Sequence, residues 1–209
     1  MTIKLIHNLQ DTGSSTCQSK GEACRHRILN AARRLFYKKG FFATSINDVA
    51  EEAGVHKGNL SYYFPSKVEL LESAAATRQA ELKAELAELT ARHKDLYEVL
   101  DAALKILESR AEETAAYGCE FGTLTDELGK GDGQLQHPAR QLFDLLQSWL
   151  TERFAQEFPR AQAREHAEYF LTLIQGSAVL THAYRDPKIL LRQCKRLRQW
   201  LAEICGKRG

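Results

Sequence analysis

Apolar residues recur every three to four positions from about residue 20 onward, which is the spacing of one face of an α-helix. The first such face carries Ile28, Ala32, Leu35 and Phe36, and Gly40 follows where a left-handed residue often ends a helix. No segment alternates apolar and polar residues over a useful length, as a strand would. The pattern predicts an all-α protein of about nine helices.

Two short helices and a tight turn are predicted after the first helix. Thr44 offers a hydroxyl N-cap for the first of them, and Gly54 lets the backbone turn after it. The second short helix ends at Pro65. Ser66 and Glu69 then have the spacing of a capping box, which predicts the start of a long helix. Two short helices joined by such a turn form a helix-turn-helix.

The pattern divides the chain into three parts. Residues 1–19 are polar and without periodicity, which predicts a disordered N-terminal tail. Residues 20–67 form the predicted three-helix N-terminal domain, and residues 68–209 form a larger helical domain. Helices of the larger domain are expected, after the one that starts near Ser66, at about 96–114, 121–128, 138–158, 163–184 and 188–204.

Positive charge is concentrated in the predicted N-terminal domain. The whole chain has a net charge of only +2, but residues 20–67 contain nine Lys and Arg against four acidic residues. This segment therefore carries +5 and the rest of the chain −3. A basic segment is expected of a module that binds phosphates, although a solvated helix surface would look the same.

The remaining composition predicts a cytoplasmic protein without metal or cofactor. The longest charge-free run, residues 169–184, is shorter than the ~20 apolar residues that a membrane span needs, and the N-terminus lacks the pattern of a secretion signal. Five cysteines without metal-ligand spacing indicate reduced thiols rather than disulfides or a zinc site. No nucleophile elbow, phosphate loop or metal motif accompanies His166, Glu168 and His182, so we predict no enzyme.

The helix-turn-helix segment resembles the DNA-binding domain of the TetR family of bacterial repressors. The resemblance covers about residues 22–72, and the rest of the chain fits the family only through helix number and length. The matching residues are Ala31-Ala32-x-x-Leu35-Phe36, Gly40, Thr44-Ser45-Ile46, Val49-Ala50-x-x-Ala53-Gly54-Val55, Lys57-Gly58 and Leu60-x-x-Tyr63-Phe64-x-Ser66-Lys67.

The resemblance implies a DNA-binding role for eight residues. Thr44 and Ser45 are expected to cap the second helix and to donate to phosphate, whereas Tyr62 and Tyr63 contact phosphate or sugar. Lys67 is expected at a phosphate near the N-terminus of the next helix. The recognition helix begins with Lys57, Gly58 and Asn59, where Gly58 allows close approach and the Asn59 amide is suited to adenine.

Two residues depart from the family pattern. His56 stands where a serine is common, which predicts a weaker or different N-cap for the recognition helix. Ser61 stands where an aromatic residue is common, which removes one large contact with DNA. Phe64 is expected to pack in the core.

A palindromic DNA site requires two recognition helices about 34–36 Å apart, and therefore a homodimer. We expect the last two helices, about 163–184 and 188–204, to form a four-helix interface with those of a partner copy, as is usual in the family. The charge-free run suits a helix that is buried on nearly all sides. The last helix carries an apolar stripe at Leu190, Cys194, Leu197, Leu201 and Ile204, although both helices could instead close the monomer's own core.

The larger domain is expected to bind a small-molecule effector. An aromatic-rich cavity with one or two polar groups would suit a flat or apolar compound. The signal is expected to pass through the long helix that begins at Ser66. The candidate lining residues are Tyr117, Cys119, Phe121, Phe143, Trp149, Tyr169, Gln175 and His182.

Two alternatives to an effector-released repressor stay open. The segment Gly118-Cys119-x-x-Gly122-x-Leu124-x-x-Glu127-Leu128 resembles one branch of the family, in which some members respond to electrophiles or oxidants through a thiol at the position of Cys119. A reactive thiol needs a lowered pKa, which the start of a helix favours. The other alternative is an architectural DNA-binding protein without an effector.

Overall fold

The computed structural model describes residues 20–130 and 137–207, and all regular structure in these ranges is helical. The all-α prediction is confirmed, whereas the tail predicted at residues 1–19 lies outside the described ranges. The predicted helix at 96–114 is two helices, since the chain turns at Arg110. The helices are α1 Lys20–Lys39, α2 Ile46–Glu52, α3 Lys57–Tyr63, α4 Lys67–Arg92, α5 Leu96–Ser109, α6 Ala111–Tyr117, α7 Glu120–Gly129, α8 His137–Phe154, α9 Arg160–Tyr184 and α10 Pro187–Ile204.

The first three helices pack around a common core, which we call the N-terminal core. It contains the predicted apolar face of α1, together with Val49 and Ala50 of α2, Leu60 of α3 and the predicted core residue Phe64. Two other parts of the chain complete it. They are the start of α4, with Leu70, Leu71 and Ala74, and the end of α7, with Leu124 and the fully buried Leu128.

Ser45, and not Thr44, is the N-cap of α2. The Ser45 hydroxyl accepts a hydrogen bond from the Asp48 N–H at 3.1 Å, and the Asp48 carboxylate accepts one from the Ser45 N–H at 2.8 Å. Thr44 is 1% exposed, and its hydroxyl donates to the Gly40 carbonyl at 2.7 Å. The predicted capping role of Thr44 is therefore wrong, because its hydroxyl closes the turn after α1 instead.

The long helix α4 begins at the predicted cap and joins the two halves of the molecule. The Ser66 hydroxyl accepts a hydrogen bond from the Glu69 N–H at 3.1 Å. Farther along α4, Leu82 and Leu86 lie outside the N-terminal core. They pack with Phe121 of α7 and Leu142 of α8, in a group that we call the middle cluster. This helix therefore contributes side chains to both halves.

A body core forms where α5, α6, α8, α9 and α10 meet. Leu100, Phe154 and Leu201 are fully buried in it. At its edge, the Arg198 guanidinium of α10 pairs with Asp101 and Glu108 of α5. These pairs join α5 to the last helix of the chain.

The last two helices differ in how far their own chain covers them. The stripe predicted on α10 faces its own chain, since Leu190, Cys194, Leu197 and Leu201 are each at most 2% exposed. In the single chain, one face of α9 is open to solvent. That face carries the exposed residues Tyr169, Thr172, Gly176, Val179, Leu180, Ala183 and Tyr184.

Within the described ranges, no helix is both long enough and apolar enough to cross a membrane.

Leu128 lies about seventy positions from α3 in sequence but belongs to the same core. We expect Leu128→Ala to lower the free energy of unfolding by about 2–5 kcal/mol, because it leaves a cavity in this core. Urea denaturation at fixed protein concentration measures the loss. The control Val68→Ala removes a partly exposed apolar side chain of α4 and should change stability by less than about 0.5 kcal/mol. Equal losses in the two variants would contradict the shared core.

Candidate functional site

The first turn of α3 is an open surface. Lys57, Gly58 and Asn59 are all exposed, and apart from the adjoining residues and backbone of α3 no atom lies within 4 Å of the position where a Cβ of Gly58 would stand. Leu60 is fully buried and anchors the helix on the N-terminal core. A nucleic-acid backbone can therefore approach this turn closely without displacing protein atoms.

The N-terminus of α3 has no side-chain cap, which confirms the prediction made for His56. His56 has an extended backbone (φ −69°, ψ 143°), but its ring makes no capping hydrogen bond. The neighbouring helix α2 is capped by Ser45, which is exposed. Hydrogen bonds from the Ser45 backbone and side chain lower the pKa of Asp48, and the carboxylate of this capping box is charged at neutral pH.

The two tyrosines at the end of α3 have different surroundings. Tyr62 is 83% exposed, whereas Tyr63 is half-buried and packs against the N-terminal core. Their rings meet edge to face with centroids 5.3 Å apart. Tyr62 therefore presents most of its side chain to solvent, whereas Tyr63 also contacts the N-terminal core.

Lys67 starts α4 with its ammonium group folded over the turn after α1. Its Nζ lies 4.4 Å from the centroid of the Phe41 ring and 3.5 Å from the Phe42 carbonyl oxygen. Burial lowers the pKa of Lys67, and the nearby Glu127 carboxylate opposes that shift. This lysine is thus at the predicted helix start, but it is held by aromatic and backbone contacts of its own chain.

Several basic residues of the N-terminal segment pair within the chain. Arg33 contacts Glu81 at 2.6 Å, and Arg34 pairs with Glu52. Arg27 instead lines a surface groove of about 320 Å³ between the first three helices, whose rim includes Asn59. Sequence reasoning singled out no role for Arg27, because its position beside the recognition helix depends on how α1 packs.

Most of the eight effector candidates gather between α4, α7, α8 and α9. Phe121 and Phe143 pack edge to face in the middle cluster, with ring centroids 6.3 Å apart. Trp149 joins them and donates its indole N–H to the Thr90 hydroxyl at 3.0 Å.

The polar candidates lie beside the start of α7. Gln175 is a hydrogen-bond partner of Cys119 and stands against Gly122. His182 lies next to Gly118 and is 3.2 Å from the Ala115 carbonyl oxygen.

The remaining two effector candidates, Tyr117 and Tyr169, pack on other aromatic side chains. The Tyr117 ring packs on Tyr37 of α1 with centroids 5.7 Å apart. Tyr169 is exposed on α9 and packs on Trp200, away from the middle cluster. Two surface grooves, of about 320 and 430 Å³, are lined by none of the eight candidates.

The surroundings of Cys119 act against a reactive thiol. Burial raises the pKa of this thiol, and the hydrogen bonds from Phe121, Gly122 and Gln175 only partly oppose the shift. The neighbouring Glu120 carboxylate raises the pKa further. Desolvation therefore outweighs the favourable effect of the helix start on this thiol.

A buried arginine stands at the same end of α7. Arg78 is 5% exposed and pairs with Glu85 at 3.2 Å and with Glu120 at 3.3 Å. Its guanidinium lies over the Phe121 ring, 5.4 Å from the centroid. Sequence reasoning missed this group, because an arginine on a long helix is usually solvated.

In the part of the chain that the structure describes, no group of three or more His, Cys, Asp or Glu side chains could hold a metal ion.

Both halves of the chain match known families of transcriptional regulators. Residues 28–74 match the family model of bacterial regulatory proteins of the tetR family, and residues 97–196 match that of the LmrA/YxaF-like transcriptional regulator C-terminal domain. An uncharacterized HTH-type transcriptional regulator in the lacX 3′ region of Lactococcus lactis is 32% identical over 79% of this chain and 87% of its own length. The regulator LmrA of Bacillus subtilis is 27% identical over 80% of this chain and 90% of its own length.

The fold agrees with these sequence relationships. A TetR-family regulator from Agrobacterium tumefaciens superimposes with a TM-score of 0.76, at 23% identity, over 86% of this chain and 97% of its own. The helix-turn-helix with its exposed recognition turn therefore belongs to a known architecture. The chain is a member of the TetR family of DNA-binding transcriptional regulators.

Proposed function

We propose that the protein is a repressor that binds a palindromic DNA site as a homodimer and is released by a small-molecule effector. The observation that carries the proposal is the exposed first turn of α3, Lys57-Gly58-Asn59, on a helix-turn-helix of this family. Two copies of such a turn, held one helical repeat apart, fit consecutive major grooves.

The proposed DNA contacts divide into base and phosphate contacts. Asn59 reads a base edge, since its amide can bond adenine in two places, and Gly58 allows the backbone to approach. Lys57, Ser45 and Tyr62 are exposed and contact phosphate or sugar. Further backbone contacts are proposed for Tyr63 and Lys67, which also have partners within the chain, whereas the buried Thr44 hydroxyl acts only through the turn that it closes.

The proposed dimer interface is the open face of α9, with adjoining residues of α10. Gly176, Leu180 and Ala183 recur at helical spacing and are exposed, and Val179 beside them is 61% exposed. On α10, Leu191 is 40% exposed. Apolar side chains exposed together on adjacent helices favour burial against a twofold-related copy, which would give a four-helix interface.

The proposed effector site lies among the middle cluster and the start of α7. Phe121, Phe143 and Trp149 supply flat apolar surfaces, and Gln175 and His182 supply polar groups. This combination suits a flat or apolar compound. The three aromatic side chains pack together in the middle cluster, so an effector would have to displace α7 or α8 to enter.

The thiol-sensor alternative is the weaker one, because the pKa of Cys119 is raised rather than lowered. An architectural protein without an effector would bind DNA in the same way and differ only in its response to small molecules. We propose no catalytic activity, since His166, Glu168 and His182 have no accompanying nucleophile or metal motif.

Asn59→Ala should weaken binding to the preferred site by about 1–3 kcal/mol and leave binding to random DNA unchanged. The preferred site is selected from a random DNA pool, and fluorescence anisotropy measures both affinities. Asn30→Ala, which removes an exposed amide from α1, is the matched control and should behave as wild type. Equal losses on preferred and random DNA would refute a base contact by Asn59.

Val179→Asp should convert the dimer to a monomer and weaken binding to the selected site at least about tenfold, because it places an unpaired carboxylate in an apolar interface. Light scattering after size exclusion measures the mass. Ala87→Asp adds the same charge to an exposed position of α4 and should leave a dimer. A dimeric Val179→Asp variant would rule out this interface.

Cys119 should react with iodoacetamide at pH 7 at least about tenfold more slowly in the folded protein than in the same chain unfolded in urea. A raised pKa reduces the thiolate fraction at neutral pH, and the rate should rise as pH increases through the alkaline range. Peptide mass spectrometry follows the labelling. Rapid labelling of folded protein at pH 7 would restore the thiol-sensor hypothesis.

A further inference from the structure

One helix of the larger domain belongs to two cores. The start of α7 lies in the middle cluster, where Phe121 is 9% exposed and packs with α4 and α8. Its end lies in the N-terminal core, where Leu124 packs and Leu128 is fully buried. The ten residues of α7 thus extend from the proposed effector site to the core that supports the recognition helix.

A carboxylate at the end of α7 holds the turn after α1. Glu127 Oε2 accepts a hydrogen bond from the Phe41 N–H at 2.8 Å, and Oε1 accepts one from the Phe42 N–H at 2.9 Å. These N–H groups follow the end of α1, and Phe41 is buried. Such bonds are stronger than those between neutral groups, because the acceptor is charged.

Gly40 makes room for this carboxylate. Its φ of +90° is a conformation that residues with a side chain rarely adopt, and a Cβ there would lie 2.9 Å from both Glu127 oxygens. The turn held by Glu127 is also the one that Lys67 contacts, through the Phe41 ring and the Phe42 carbonyl. The position of Glu127 therefore bears on the start of α4 as well.

The other end of α7 is in close contact with α9. A Cβ on Gly122 would lie 3.1 Å from Gln175 Oε1 and 3.4 Å from the Cys119 Cβ. Just before the helix, Gly118 has φ +82°, and its carbonyl accepts a hydrogen bond from the Tyr37 hydroxyl at 2.8 Å. Added volume at Gly122 would therefore press on the Gln175 side chain of α9 and on Cys119 at the start of α7.

We propose that Glu127 is a positioning residue for DNA binding, which fixes the α1–α2 turn and Lys67 to α7 and so makes the recognition helix follow movements of α7. An effector that displaces the start of α7 moves the helix as a unit. The Glu127 carboxylate then draws the turn after α1 with it, and the DNA-binding surface changes shape. This inference rests on the proposed function.

A steric wedge replaces the unidentified effector in the test. Gly122→Val adds volume between α7 and α9, and Glu127→Gln removes the charge of the carboxylate at nearly constant size. The four proteins of the cycle are wild type, each single variant and the double variant. Asp126→Asn removes an exposed charge from the position before Glu127 in α7. A control cycle uses this variant in place of Glu127→Gln.

Affinity for the selected DNA is the first measurement. We expect Gly122→Val to weaken binding at least about tenfold in wild type and in the Asp126→Asn background, but less than about threefold in the Glu127→Gln background. An equal wedge effect with and without Glu127, or no wedge effect in wild type, would overturn the proposal. Circular dichroism verifies folding, and Gly122→Ala replaces the valine variant if the latter is unfolded.

Hydrogen exchange at the Phe41 and Phe42 amides is the second measurement, and it needs no DNA. Exchange should be faster in Glu127→Gln than in wild type and unchanged in Asp126→Asn, because only Glu127 accepts these two N–H groups. Unchanged exchange in Glu127→Gln would contradict the proposed contact. If wild type selects no DNA sequence, the proposed function fails, whereas the exchange result still tests the contact.

Discussion

The recognition helix depends on burial at a single residue. A helix of seven residues is unstable alone, because its nucleation is costly, and α3 has no side-chain N-cap. Leu60 is its one fully buried side chain, and it packs in a core built by α1, α2, the start of α4 and the end of α7. The direction in which Lys57 and Asn59 project is therefore set by side chains that lie behind the DNA-binding surface.

Because that core includes α7, the two halves of the molecule are not mechanically separate. One face of α7 carries Glu120, Leu124 and Glu127, at the i, i+4, i+7 spacing of a helix. Glu120 lies 3.7 Å from Arg33 of α1, Leu124 packs on the N-terminal core, and Glu127 binds the turn after α1. The spacing explains how one helix contacts α1 and the turn after it along its length.

Local signals predicted the fold well, and contacts distant in sequence were predicted poorly. Helical periodicity and family spacings identified the helix-turn-helix, and the Ser66 cap is encoded within four residues. The Thr44 cap was wrong because two adjacent hydroxyls satisfy the same rule, whereas Asp48 completes a capping box with Ser45. The direction of the α10 stripe and the desolvation of Cys119, by contrast, are set by neighbouring helices. Glu127 was visible within a motif, but its partners lie 85 and 86 residues away.

Ion pairs in the interior determine how α7 is placed. Desolvation disfavours the charge of Arg78, and the carboxylates of Glu120 and Glu85 offset it. A buried ion pair adds little net stability compared with apolar residues, so we interpret this group as fixing geometry. Glu120 of α7 lies between Arg33 of α1 and Arg78 of α4, at 3.7 and 3.3 Å. A displacement of α7 would have to break these pairs, so α7 connects the middle cluster to the N-terminal core through specific contacts. Such an element can couple two sites by the 1–3 kcal/mol or so that is typical of allosteric proteins.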